Sequence, residues 1–112
     1  MNYMGDGMKP ESLNILGIPF KIKYCDKLTD VTKNNRTTNV VGEIDHIDKI
    51  ISVYDNGSSV NDIWETIFHE VIHGMAGLLH IKPLQDDEVA VDLLALAMND
   101  FLFRNNLFKP GE

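Results

Sequence analysis

The stretch SVNDIWETIFHEVIHGMAGLLH, residues 59–80, decides how this chain folds. Its apolar residues recur every three or four positions, which is the period of a helix that buries one face. Ser58 or Ser59 is a suitable N-cap, and Asp62 lies in the first turn, where a negative charge complements the helix dipole. The apolar positions are Trp64, Ile67, Phe68, Val71, Ile72, Met75, Leu78 and Leu79. We predict a helix that starts at the serine cap and packs its apolar face on a sheet.

The other face of this helix carries the string His69-Glu70-Val71-Ile72-His73, whose spacing predicts a metal site. Positions i and i+4 share a helix face, so both imidazoles can bind one zinc ion. Glu70 stands beside them and can reach a water next to the metal. Two imidazoles and a carboxylate favour zinc, although such ligands also accept other divalent ions. The pattern predicts a catalytic zinc site that faces a cleft, with Glu70 as the general base and acid.

Two histidines are not enough for a catalytic zinc site, which usually takes three protein ligands. Asp92 is the first candidate, because it stands in an apolar second helix where an unpaired carboxylate is costly to bury. Glu88 lies one turn earlier on the same face, with a longer reach but nearer the exposed helix start. It is the alternative ligand, a residue hydrogen-bonded to one, or an ordinary solvent-facing acid. His80 comes third, since it lies roughly 10 Å beyond His73 along the helix axis.

The segment before the motif helix has the pattern of a short sheet. Runs 18–24, 40–46 and 49–54 are rich in β-forming residues, and the last two are close enough to form a hairpin. The polar stretch 26–39 predicts a long surface loop. We therefore expect about three strands.

A second helix is predicted after Pro83, which interrupts the chain. Asp86 or Asp87 can cap it, and it extends to about Phe103. Its residues are apolar on nearly every side, so we expect it to be buried against the motif helix on more than one side. Together these elements predict an α+β fold.

Composition predicts a single compact domain. The 112 residues are 44% apolar, which suffices for one core. We expect the domain to span 15–104, with a mobile lead-in over 1–14 and a tail over 105–112.

The net charge of -7 argues against nucleic acid or an anionic membrane as the main partner and favours a positively charged substrate segment. Cys25 is the single cysteine, so no internal disulfide can form, and we expect a cytoplasmic protein without a membrane span.

Two further residues carry weaker indications. His46 lies between two acids next to the hairpin turn, and we interpret it as a solvated residue. Tyr54 ends the last predicted strand and is a weak candidate for stabilising an oxyanion, against an ordinary packing role.

With the helix motif and a later acid, the chain resembles the minimal gluzincin-type metallopeptidases, especially the ImmA/IrrE-like proteins of bacteria and phages. The similarity spans about residues 15–104, and the segment Asp92-Leu93-Leu94-Ala95-Leu96-Ala97 looks like the one that supplies the third ligand in those families. The resemblance implies a zincin-like fold with His69 and His73 as ligands, Glu70 as general base and acid, and Asp92 as third ligand. The family often has Glu at that last position, so Glu88 stays open.

The expected function is a zinc metalloendopeptidase that cleaves a protein or peptide substrate held along the sheet edge as an added strand. By resemblance, the substrate would be a repressor or another regulatory protein. The alternative is a non-catalytic protein of phage or mobile-element origin, in which zinc only staples a small fold.

Overall fold

The computed structural model describes residues 9–32 and 40–107. In this part of the chain, a four-stranded mixed sheet and three α-helices form a small compact α+β fold, which confirms the predicted class. The strands are β1 (Ser12–Ile15), β2 (Ile18–Cys25), β3 (Gly42–Asp45) and β4 (Ile50–Tyr54). The helices are α1 (Val60–Leu79), α2 (Lys82–Asp86) and α3 (Glu88–Arg104). The strand order is β1-β2-β4-β3; β2 and β4 are parallel, and the outer pairs are antiparallel.

The structure has one strand more than the three that the sequence predicts. The additional strand, β1, begins within the segment 1–14 that was expected to be an irregular lead-in; residues 1–8 of that segment lie outside the described part. A two-residue turn joins β1 to β2, with Leu16 at φ 53° and Gly17 at φ 88°. Such a turn matches the twist of paired strands, and its glycine was the local signal for a hairpin.

The predicted hairpin of β3 and β4 is confirmed. The Oδ1 atom of Asp45 accepts hydrogen bonds from the backbone N–H groups of Ile47 and Asp48, both at 2.9 Å, and this fixes the turn. β3 is an edge strand, and it lies next to α1. Of the predicted loop 26–39, residues 33–39 lie outside the described part, and a short 3-10 turn occupies Leu28–Asp30.

The main core lies between the sheet and the apolar face of α1. Its buried members are Ile15, Phe20, Ile22, Ile51, Val53, Ile63, Trp64 and Ile67. Gly74 lets the helix approach the sheet closely, because a Cβ atom there would lie 3.0 Å from Cδ1 of both Ile15 and Ile44. This close packing fixes the height of α1 above β3, and so the position of the motif relative to the sheet edge.

Both predicted N-caps form. Ser59 Oγ accepts the N–H of Asp62 at 3.0 Å, and Asp87 Oδ1 accepts the N–H of Ala90 at 3.0 Å. The two helices therefore start where the sequence indicates. Pro83 does not leave an irregular break but lies in the first turn of the short helix α2, a position that proline tolerates.

The expectation that α3 is buried on more than one side is wrong. Its buried residues are Val91, Ala95 and Asn99, which share one face against α1, whereas Val89 and Leu93 are 69% and 61% exposed. Its contacts are with α1 and, to a smaller extent, α2, so nothing described covers its outer side. Among the described residues, no helix is both long and apolar enough to span a membrane.

Candidate metal centre

His69 and His73 lie one turn apart on the face of α1 that looks toward the start of α3. Their ring centroids are 4.9 Å apart, and their side chains are only 17% and 12% exposed. The helix spacing therefore places two imidazoles side by side at a partly sheltered position, as the motif predicts.

Glu88, the first residue of α3, brings a carboxylate between the two rings. Its Oε1 atom lies 3.0 Å from His69 Nε2 and 3.3 Å from His73 Nε2, and its Oε2 atom lies 3.2 Å from His73 Nε2. Partial desolvation raises the pKa of Glu88, but the hydrogen bonds and charges of His73 and His69 outweigh it and hold that pKa below its usual value. These three residues form a group that could hold a metal ion.

Asp92 contacts the other nitrogen of the first histidine. Its Oδ1 atom lies 2.7 Å from His69 Nδ1, and its side chain is 71% exposed, so the burial that made it the first candidate ligand is absent. A carboxylate on Nδ1 orients the ring and favours the tautomer that leaves Nε2 free for a metal. The structure thus brings Glu88 to the Nε2 atoms, and it places Asp92 behind His69.

The third candidate, His80, is apart from this group. It is the C-cap of α1 in a left-handed conformation, with φ 56°, and it is exposed.

The chemistry and spacing of this donor set fit zinc. Ligand atoms of a tetrahedral zinc ion with bonds near 2.0–2.1 Å lie roughly 3.3 Å from one another. The Nε2-to-carboxylate distances of 3.0–3.3 Å are already close to that value, without any movement of the side chains. Two imidazoles and one carboxylate, approached from a cleft, are also the ligand set of an open catalytic site.

Glu70 is buried beside this group, with 5% exposure. Burial raises the pKa of Glu70 to about 8, and the nearby charges of Glu88, Glu43 and Asp92 act in the same direction. The strand β3 closes over this side chain, because a Cβ atom on Gly42 would lie 3.0 Å from Glu70 Oε2. The absence of a side chain at Gly42 is what lets the strand pass so close to the glutamate.

A cleft of about 1000 Å³ opens in front of the three-residue group. The edge strand β3 and the preceding residues 40–41 form one wall, while α1 and the start of α3 form the other. Its carboxylates are Glu43, Asp62, Glu65, Glu70, Glu88 and Asp92, and the described lining contains no lysine or arginine. Tyr54 also lines the cleft, and its role toward an oxyanion stays a prediction.

His46 is a cleft residue that no sequence pattern indicated. It is exposed, as expected, but it lines this cleft and a smaller neighbouring cavity of about 360 Å³. Its ring lies against α1, since a Cβ atom on Gly77 would lie 3.0 Å from His46 Cε1. The contact joins residues 31 positions apart, and no local pattern reveals it.

The chain was compared with protein-family models, curated proteins and solved structures, and none of them matches it.

Proposed function

We propose that this protein is a zinc-dependent metalloendopeptidase that hydrolyses a peptide bond in a protein substrate. The observation that carries the proposal is the approach of one Glu88 carboxylate to both Nε2 atoms of the His-Glu-x-x-His helix, with Glu70 buried alongside. The gluzincin-type resemblance, in particular to ImmA/IrrE-like proteins, agrees with this reading of the residues.

His69, His73 and Glu88 would hold the ion, and Asp92 would keep the ring of His69 in the required orientation. A zinc ion bound there supplies Lewis acidity, which acidifies water and polarises a substrate carbonyl. Glu70 takes the proton of the attacking water on its carboxylate and returns it to the leaving amine. In the metal-free protein burial raises the pKa of Glu70 to about 8, and the positive charge of a bound zinc would lower it and so favour the carboxylate form that accepts the proton.

The substrate we propose is an extended, positively charged segment of a cytoplasmic regulatory protein. Among the described strands, β3 has β4 as its one neighbour, and it lines the cleft with its residues, so an added strand could hydrogen-bond to its main chain. The carboxylates of the cleft favour lysine or arginine side chains on that segment.

The test is Glu70→Gln, assayed on a fluorogenic library of extended peptides that contain lysine and arginine. We expect turnover to fall by about a hundredfold or more while zinc stays bound, because the variant keeps the ligands and loses the proton acceptor. Glu65→Gln is the matched control, since Glu65 lies in the same cleft on the same helix and is not assigned to proton transfer. A wild type that binds zinc but cleaves nothing in the library or among co-expressed proteins would favour the non-catalytic alternative.

A further inference from the structure

The outer face of α3 is an apolar surface without a partner in the described part of the chain. Five large side chains on it are 46–69% exposed: Val89, Leu93, Leu94, Leu96 and Phe101. Ala90 and Ala97 fill the positions between them, and Asp100, seven residues after Leu93, is the charged residue within this otherwise apolar stripe. Single exposed apolar residues are ordinary, but a contiguous stripe of this kind marks an interaction surface.

We propose that two copies of this chain form a symmetric dimer through this face, with the α3 helices antiparallel. In an antiparallel pair that crosses near residue 95, positions whose numbers sum to 190 face each other. Leu93 then lies opposite Ala97 of the second copy, and Val89 lies opposite Phe101. Leu94 lies opposite Leu96, so the large apolar side chains of each stripe contact apolar side chains of the other.

The charges at the two ends of α3 select this orientation. Asp87 caps its start, and Asp86, which ends α2 just before it, pairs with Lys82 at 3.2 Å; Arg104 lies at its end, within the intrahelical ion pair to Asp100 at 2.6 Å. In the antiparallel dimer, Arg104 reaches the acidic start of the other α3, near Asp86 and Asp87. A guanidinium has donors enough for two carboxylates, so it can keep Asp100 and bind the second copy. A parallel pair would instead bring like charges together at both ends.

The size of the face suits a dimer. At roughly 100 Å² for each of the five side chains, it exposes roughly 500 Å² of apolar surface. Two such faces together bury about 1,000 Å², before the polar rim is added, which is the area at which specific interfaces begin.

Dimerisation of this kind leaves the cleft open. At 100° per residue, Asp92 and Glu88 point about 100° and 140° away from Leu93 around the helix axis. The dimer is therefore independent of the proposed peptidase activity, and either can fail without the other.

Sedimentation velocity of the full chain over a concentration series tests the proposal. We expect a monomer–dimer equilibrium that Leu93→Glu weakens by about tenfold or more. The matched control is Ile47→Glu, which adds the same charge at an isolated exposed residue of the β3–β4 turn, 83% exposed, and should leave dimerisation unchanged. Circular dichroism should show that both variants are folded, because neither side chain is buried.

A charge exchange tests the orientation. Arg104→Glu and Asp86→Lys should each weaken the dimer, and the double variant should restore it, since the exchanged charges again face each other across the interface. Wild type that stays monomeric at all concentrations, or a dimer that Leu93→Glu leaves intact, overturns the proposal. A dimer that loses affinity on Leu93→Glu but gains nothing from the charge exchange overturns the antiparallel arrangement.

Discussion

At the scale of single residues, two acids of α3 contact different nitrogen atoms of the histidines in the candidate centre. Glu88 contacts the Nε2 atoms of both histidines, while Asp92, one turn later, contacts Nδ1 of His69. The sequence could show that both acids share a helix face, but it could not show which would reach which nitrogen. That choice depends on how α3 crosses α1, a tertiary property that spacing does not contain.

Gly42 is the residue at which we expect a small change to have a large effect. In Gly42→Ala the new Cβ atom would lie 2.6 Å from Thr66 Cγ2 and 3.0 Å from Glu70 Oε2, so β3 or the glutamate must move. We expect a loss of about 1–3 kcal/mol in the free energy of unfolding and a lower turnover. Chemical denaturation and a peptidase assay measure the two effects. An unchanged stability would contradict the close passage of β3 over Glu70.

Glu70 should also make the stability of the metal-free protein depend on pH. Its folded pKa of about 8 lies above its ordinary value of 4.5, so between these values the folded state keeps a proton that the unfolded state has released. The free energy of unfolding should therefore fall as the pH rises from about 5 to 8, by at most about 1.4 kcal/mol per pH unit from this group.

Denaturation of the chelator-treated protein over this pH range, beside Glu70→Gln, measures the effect. The variant cannot ionise at this position, so its advantage over the wild type should grow with pH. Parallel stability curves for the two proteins would show that Glu70 is not desolvated as the structure indicates.

At the scale of elements, local chemistry predicted most of the fold. The caps could be narrowed to Ser58 or Ser59 and to Asp86 or Asp87, and the β3–β4 turn could be located, because a cap or a tight turn needs particular side chains within a few residues. β1 was missed because its strand is four residues long and lies next to a polar start. The environment of α3 was mispredicted because an all-round apolar pattern shows that a helix needs partners, but not whether its own chain supplies them.

The cap at the start of α1 gives a test at this scale. Ser59→Ala removes the acceptor for the N–H of Asp62, and we expect it to cost about 0.5–2 kcal/mol of unfolding free energy. Ser58→Ala is the matched control, because the cap is formed by Ser59 and not by Ser58. Equal losses in the two variants, measured by chemical denaturation, would be inconsistent with the observed start of α1.

At the scale of the whole molecule, the candidate metal centre lies between two helices, α1 and α3, whose shared buried core is small. The second core cluster comprises Ile72, Val91 and Ala95, far fewer buried residues than the sheet core has. Because the candidate ligands come from both α1 and α3, a bound ion should stabilise the folded chain against separation of these helices.

Removal of the metal should therefore lower the melting temperature. At a free zinc concentration about 1,000 times its Kd, binding contributes about 4 kcal/mol, which corresponds to a shift of well over 10 °C in a domain of this size. Thermal unfolding with and without a chelator measures this shift, and His73→Ala should show none. Equal melting temperatures of the wild type in both conditions would mean that no ion bridges the helices.

Zinc content of the purified protein, measured by elemental mass spectrometry beside His73→Ala, Glu88→Ala and Asp92→Ala, is the most direct test of the candidate metal centre. We predict one zinc per chain in the wild type, its loss in His73→Ala and Glu88→Ala, and its retention with about 10–100-fold lower affinity in Asp92→Ala. Zinc that remains in Glu88→Ala but is lost in Asp92→Ala would contradict the assignment of Glu88 as third ligand. No zinc in the wild type, even after reconstitution, would contradict the centre itself.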